Sequence, residues 1–86
     1  MKIYFHKNFD KQYKLLSARQ KLKARERLRL FLDNPYDQLL NNHPLKGKYL
    51  DYRSINISGD LRAIYKLINN GECVFVAIGM HNQLYS

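Results

Sequence analysis

The stretch that most restricts how this chain can fold runs from Asp51 to Leu67. Apolar and polar residues alternate there on both sides of a Ser58-Gly59 pair, and a period of two belongs to a strand rather than a helix. Tyr52, Ser54 and Asn56 share one face of the first run, and Arg53, Ile55 and Ile57 share the other. In the second run Leu61, Ala63, Tyr65 and Leu67 alternate with Asp60, Arg62, Ile64 and Lys66. Two such runs joined by a short glycine-bearing turn predict a β-hairpin. Upstream, His43 precedes Pro44 and is therefore held extended, because the residue before proline avoids the helical region. Leu45 then anchors to the core while Lys46-Gly47-Lys48 turns the chain.

The flanking segments supply the other layer. Lys2 to His6 is short and aromatic-rich, suited to a first strand that ends near His6. Asn8 or Asp10 can cap a helix carrying Phe9, Tyr13 and Leu16 on one face. Ser17 caps a second helix that runs to about Asp33, roughly 24 Å long. Its apolar stripe is Ala24, Leu28, Phe31 and Leu32, with Leu22 and Leu30 at the margins. Asn34-Pro35 ends it. Near the C-terminus, Asn69-Asn70-Gly71 is a turn signal, and Cys73 to Ile78 is an unbroken apolar run suited to a strand covered on both faces. Gly79-Met80-His81-Asn82 leaves the sheet, and Leu84-Tyr85 closes the chain.

The fold class expected is α+β. A small, largely antiparallel sheet carries two N-terminal helices on one face, in the order β-α-α-β-β-β, with a short C-terminal turn or helix. Its other face is expected to be open and edged by polar side chains, a place for a ligand to lie. Eighty-six residues suit one domain, spanning residues 1–86. A chain of this size buries only about 60–65% of its unfolded surface, so a partner that adds buried area would steady it. No run of about 18 apolar residues offers a membrane span, and no charged-then-apolar leader directs export. Cys73 is the single cysteine, which excludes an internal disulfide; the expected compartment is the reducing cytoplasm, and the expected role is a small core residue.

Charge narrows the partners. Residues 1–49 hold 12 Lys/Arg against 4 Asp/Glu, whereas residues 50–86 hold 3 of each, so the net charge of +8 sits in the first half. Arg19, Lys21, Lys23, Arg25, Arg27 and Arg29 fill most of the polar surface of the second helix. Such a face lies well along a polyanion, above all nucleic acid, and supplies affinity and salt dependence without reading sequence. It equally suits a solvated helix.

Several chemistries drop out. Three scattered histidines and one cysteine lack the short spacing of a zinc site. Neither a G-x-S-x-G elbow nor a G-x-x-x-x-G-K-[ST] phosphate loop is present. What remains suits cleavage of RNA by its own 2′-hydroxyl, which needs neither metal nor other cofactor. A base takes the 2′-proton, an acid protonates the departing 5′-oxygen, and a cation stabilises the phosphorane. Histidine serves as acid or base, arginine's fork suits phosphate oxygens, and an aromatic ring holds an unstacked base. His81, Arg62 and Tyr85 fit these parts, with His43 and Asp60 as further proton carriers.

His43-Pro44-Leu45-x-Gly47, Tyr52-Arg53, Asp60-x-Arg62-x-Ile64-Tyr65-Lys66-Leu67 and Gly79-x-His81-x-x-Leu84-Tyr85 occur in this order over about half the chain. Together they resemble the YafQ branch of the RelE toxin superfamily. The resemblance implies a bacterial type II toxin, an endoribonuclease that cuts messenger RNA in the ribosomal A site, beside 16S rRNA. It also implies a cognate DinJ/RelB-like antitoxin that wraps and blocks it. The functional positions of the YafQ pattern fall on His43, Asp60, His81 and Tyr85, with His81 the expected acid and Asp60 or His43 the expected base. Arg62 matches an arginine common in other RelE-like nucleases, where the YafQ pattern has an apolar residue. Asn56, Lys66, Lys46, Lys48, Arg25 and Arg29 are candidate substrate-binding residues.

Asn56 is also a departure. The YafQ pattern has a further catalytic histidine four residues before the aspartate, and an amide cannot exchange a proton near neutral pH. Arg62 compensates electrostatically, activity is lower, or Asn56 only binds substrate. Two further readings stay open. One is a non-catalytic RelE/ParE-fold toxin or regulator, acting as a gyrase poison or a nucleic-acid binder. The other is a decayed toxin kept as the partner of its antitoxin.

Overall fold

In the computed structural model, which describes residues 1–85, the elements in chain order are β1 (Lys2–Phe5), α1 (Lys7–Lys14), α2 (Ala18–Asp33), β2 (His43–Pro44), β3 (Arg53–Ser58), β4 (Leu61–Asn69), β5 (Glu72–Met80) and α3 (His81–Leu84). The strands form one sheet in the order β1-β5-β4-β3-β2; β1 runs parallel to β5 and every other pairing is antiparallel. This is the α+β arrangement expected, with one strand more, because His43-Pro44 itself pairs with Ser54 and Arg53. No described helix is long and apolar enough to cross a membrane.

The two faces of the hairpin are those the alternation predicts. Ile55, Ile57, Leu61, Ala63 and Tyr65 join Phe9, Ala24, Phe31, Leu40 and Phe75 in the core beneath the helices. Phe31, Tyr65 and Phe75 meet with ring centroids 4.9 to 5.3 Å apart. Ser54, Asn56, Arg62 and Ile64 belong to the opposite face by the same period of two. β5 changes face part-way. The register with β4 shifts between the Ile64–Ala77 and Tyr65–Phe75 pairs, a bulge at Val76. Cys73 and Phe75 therefore face the helices, Val76 and Ala77 the other side, and Ile78 the helices again.

Helix α1 is fastened to that bulge. Asn8 Nδ2 donates to the Val76 carbonyl at 2.9 Å, and the Ile78 amide donates to Gln12 Oε1 at 2.9 Å. The cap of α1 is His6, whose Nδ1 accepts from the Asn8 amide at 3.0 Å, not Asn8 or Asp10 as expected. The chain turns straight from β1 into the helix, which brings the His6 ring over the free amides, and Asn8 is spent on the sheet. Ser17 does cap α2: Gln20 N donates to Ser17 Oγ and Ser17 N to Gln20 Oε1, at 3.1 and 2.9 Å.

Five local expectations change. The strand begins at Arg53, since Asp51 takes φ +74° in a turn. The hairpin turn is Gly59-Asp60 instead of Ser58-Gly59, because a register shift between Asn56 and Ser58 pairs Ser58 with Leu61; Gly59, at φ +50°, supplies the left-handed angle. β5 continues through Gly79 to Met80 before the chain leaves the sheet. Leu32 is 46% exposed, because α2 passes over the sheet edge there and Leu32 shares a groove with Ile3, Phe5 and Leu28. Leu30, placed at the margin, packs against the core.

The face away from α1 and α2 is not simply open. Ile64, Ala77 and Leu84 form a second, smaller core, against which Leu45, Tyr49, Tyr52, Val76 and Tyr85 pack. Segment 45–52 and α3 cover its middle, since a sheet centre this apolar needs a second cover.

Cys73 is fully buried, and burial pushes its thiol up to about 11. Because the thiolate is the reactive form, alkylation of the native protein at about pH 8 is expected to be slow and to accelerate sharply on unfolding. Mass spectrometry of timed samples checks this; equal rates in native and denatured protein would contradict the buried placement.

Candidate active site

Apart from Arg25 and Arg29, the polar residues singled out in the sequence lie on or around the face that carries the smaller core, and their placement follows from strand pairing. Asn56 on β3, Arg62 on β4 and Gly79 on β5 are consecutive partners across the sheet. The amide of His81, the first residue of α3, donates to the carbonyl of Asp60 in the hairpin turn at 2.8 Å. One backbone hydrogen bond thus joins the two ends of the site, so that Asp60, Arg62 and His81 surround one end of the β4–β5 ladder.

α3 folds down over this end of β5: a Cβ at position 79 would meet Leu84 Cδ2 at 3.4 Å and Gln83 Oε1 at 3.5 Å, about van der Waals contact. Tyr85 follows one helical turn after His81, and their rings sit 4.7 Å apart. Arg62 Nη1 donates to the carbonyls of Gly59 and Leu61, which holds the guanidinium against the turn. Asp60 and His81 are exposed, whereas Arg62 is half-buried.

Asn56 brings an unusual feature. Its Oδ1 and the Ser54 Oγ are buried, and neither has a hydrogen-bond partner among the described residues. Buried polar atoms are ordinarily paired, and such exceptions gather where a ligand or a rearrangement completes the set. The two lie one pleat apart on the site face.

His43 occupies a different part of the same face. It pairs with Ser54 at the β2 edge, three strands from β5. At about 4.8 Å per strand, its backbone is about 14 Å to the side of β5. The structure therefore separates His43 from the Asp60–Arg62–His81 group. Its Nδ1 lies 2.8 Å from the Asn41 carbonyl. A carbonyl only accepts, so Nδ1 carries the proton, and in the neutral ring Nε2 is left as the basic nitrogen. Asn42 fixes this segment: its Nδ2 donates to Tyr65 Oη at 2.7 Å and to the Pro35 carbonyl at 2.9 Å, while Arg53 Nε donates to its Oδ1 at 2.8 Å.

Between the two histidines runs an aromatic strip that the sequence reading missed. Tyr85 meets Tyr49 at 6.0 Å, and Tyr49 meets Tyr52 at 5.9 Å, both nearly perpendicular. Lys48 Nζ lies 5.4 Å from the Tyr49 ring centroid, and Lys66 Nζ lies 5.4 Å from that of Tyr52. The signal available was Lys48-Tyr49 followed three residues later by Tyr52, cations interleaved with aromatics. Lys46 caps the same short turn, at the start of Gly47–Tyr49.

Arg25 and Arg29 are not brought to this group. They line the groove between β1 and α2 with Ile3, Phe5, Leu28 and Leu32, beside the helix layer. Among the described residues no three His, Cys, Asp or Glu side chains converge as a metal site would require.

Comparison with known proteins agrees with this architecture. A family profile described as "Bacterial toxin of type II toxin-antitoxin system, YafQ" matches residues 1–86. The chain belongs to this YafQ family of bacterial type II toxins, within the RelE-like superfamily. Crystalline YafQ from E. coli strain BL21(DE3) is 27% identical, covers 98% of this chain and 97% of its own, and superposes with a TM-score of 0.82. The E. coli DinJ–YafQ toxin–antitoxin complex gives 27% identity, 98% and 96% coverage and a TM-score of 0.78. The RelBE2 complex from Mycobacterium tuberculosis, at 15% identity, 92% and 95% coverage and a TM-score of 0.75, shares the fold. No curated protein sequence matches the chain.

Proposed function

We propose that this toxin is a ribosome-dependent endoribonuclease that cuts messenger RNA in the A site without a metal, and so stops translation in the cytoplasm. The observation that supports the reading is the backbone hydrogen bond from the His81 amide to the Asp60 carbonyl, which brings residues that can carry a proton and a cation, His81, Asp60 and Arg62, to one end of the sheet. In the reaction a base removes the 2′-proton, the 2′-oxygen attacks phosphorus, and the 5′-oxygen leaves with a proton from the acid. A cyclic 2′,3′-phosphate and a 5′-hydroxyl result. His81 is the acid, and its tilted contact with the Tyr85 ring orients it. Asp60 is the base that lies beside it, in preference to the distant His43. Arg62 stabilises the phosphorane with charge-assisted hydrogen bonds. Asn56, facing the site between Arg62 and the β2 edge, binds and does not transfer protons; its buried, unpaired Oδ1 supports that role.

His43, Lys46, Lys48 and Lys66 hold the RNA outside the cut. Arg25 and Arg29, on the far side, contact ribosomal RNA or the antitoxin rather than the scissile phosphate. The E. coli relative is found with DinJ, and an antitoxin of that kind is the expected partner here.

Inducing the chain in a bacterium and sequencing the 5′-hydroxyl ends of messenger RNA tests the proposal. Cuts within codons on translating ribosomes are expected. DNA damage with intact messages would instead indicate gyrase poisoning, and no effect of either kind a decayed toxin. Neutralising Arg25 and Arg29 together is expected to weaken ribosome binding and to lower the slope of log affinity against log salt by about one per lost phosphate contact. The positions of the cuts should not change. A slope equal to that of the parent would leave those two arginines to the antitoxin.

A further inference from the structure

On the site face, His6, Asn8, Tyr49, Tyr52, Val76 and Ala77 line a cleft of about 340 Å³ that no step above uses. Its residues come from three distant parts of the chain. The β5 bulge turns Val76 and Ala77 to the same side, and their short side chains leave depth between the walls. One wall is the Tyr49–Tyr52 pair, set at 76° to each other. The other is the β1–α1 junction, where two hydrogen bonds decide which polar atoms remain. His6 Nδ1 accepts from the Asn8 amide, so the neutral ring keeps its proton on Nε2 and is a donor there. Asn8 Nδ2 is committed to the Val76 carbonyl, which leaves Oδ1 as an acceptor.

From this we infer that the cleft is a nucleobase subsite, which takes an unpaired base of the RNA next to the nucleotide being cut and gives the toxin a base preference there. The inference rests on the nuclease reading above. Three properties support it. The volume is at the lower end of those that hold small ligands. Aromatic walls are what an unstacked base requires, and a ring donor and an amide acceptor can meet the hydrogen-bonding edge of a base. The cleft also connects to the reaction centre, since Tyr49 touches Tyr85 and Tyr85 touches His81. A chain whose scissile phosphate lies at Arg62 and His81 can therefore seat a neighbouring base against Tyr49 and Tyr52. Lys48 and Lys66 over those rings place positive charge for the adjoining phosphates.

The test uses a short single-stranded oligoribonucleotide made uncleavable by 2′-deoxy substitution, together with sequencing of cuts on translating ribosomes. Tyr49→Leu and Tyr52→Leu keep apolar packing on Ile64 and Ala77 but remove the rings, and His6→Ser keeps an oxygen to cap α1 but removes the imidazole. Each tyrosine change is expected to weaken oligonucleotide binding by about 5- to 150-fold, the range of one lost base stack. His6→Ser is expected to relax base preference at one position flanking the cut with little change in the rate at saturating ribosomes. In the unaltered protein, amide signals of Asn8, Val76 and Ala77 are expected to shift on titration, a readout that does not depend on any variant folding. Unmoved signals, or folded variants with parental binding and cut sites while His81→Ala abolishes cutting, would remove the subsite and leave the nuclease reading intact. Bound oligonucleotide with shifted signals but no cut messages would keep the cleft as an RNA site and overturn the nuclease. Neither binding nor cutting would overturn both.

Discussion

His81→Ala is expected to lower messenger cleavage by about 10²- to 10⁴-fold, the usual worth of one positioned proton donor. The ring is exposed and its hydrogen bond to Asp60 comes from the backbone, so the fold should hardly notice the change. Arg62→Ala by itself is expected to cost about 10²- to 10³-fold, because it removes the cation proposed to stabilise the phosphorane. It also leaves the exposed Gly59 carbonyl and the part-buried Leu61 carbonyl without its guanidinium; the Leu61 contact is long at 3.4 Å, so stability should change little. Cleavage of a defined message on purified ribosomes, with growth arrest as the cellular readout, checks both. Parental activity in either folded variant would show that the residues around the Asp60–His81 hydrogen bond do not perform the chemistry. If the two changes act on one transition state, the double variant should be little worse than the poorer single one.

The second large effect concerns stability. Phe31 has no exposed surface and its ring contacts those of Tyr65 and Phe75 at 4.9 and 5.3 Å. Phe31→Ala should cost about 3–5 kcal/mol, the transfer energy of the ring plus the cavity it leaves. A domain of this length has roughly 4–13 kcal/mol in all. The loss therefore removes a large part of the total, and denaturant unfolding should show a much earlier midpoint with an unchanged slope. Tyr65 in the same cluster also receives the Asn42 hydrogen bond that fixes the His43 segment. The core under the helices and the β2 edge of the site are thus expected to loosen together, visible as faster amide exchange at Asn42 and His43. A cooperative transition at the parental midpoint would contradict this packing.

Much of the fold was legible because it depends on local periodicity. The alternation from Tyr52 to Lys66 sorts side chains to two faces, and the burial of Ile55, Ile57, Ala63 and Tyr65 under the helices follows that sorting. Ser17 was legible as a cap because the Ser-x-x-Gln pattern is complete within four residues. Leu32 was misjudged because periodicity describes a helix's own faces and not where the helix overhangs the sheet. His6 was passed over as a cap because the competing Asn8 has the better local chemistry, and only the bulge at Val76 shows where Asn8 is spent.

Among the site residues, Asn56, Asp60 and Arg62 were legible as members of one hairpin, but a turn at Ser58-Gly59 would have set Arg62 opposite Ile55, and only the register shift between Asn56 and Ser58 pairs Arg62 with Asn56. His81 and Tyr85 joined them on family resemblance. Their distance in space from the hairpin is not a local property. The same is true of His43, which the motif grouped with the others and which strand order places on the β2 edge, away from the interior strands β4 and β5. The Tyr49–Tyr52–His6 cleft had the weakest signal of all, since its walls are more than 40 residues apart in the chain.

By itself the sequence determined which segments form strands and helices, which side of the hairpin is apolar, and where the positive charge lies. Those properties depend on neighbours within one or two turns of chain, where steric preference and period act directly. Only the tertiary structure decided which polar groups share a site. A one-residue bulge at Val76 and a single backbone hydrogen bond from His81 to Asp60 set the register and the approach of α3. Each is the outcome of packing the whole sheet at once, and a one-residue difference in register would have turned the same side chains to the opposite face.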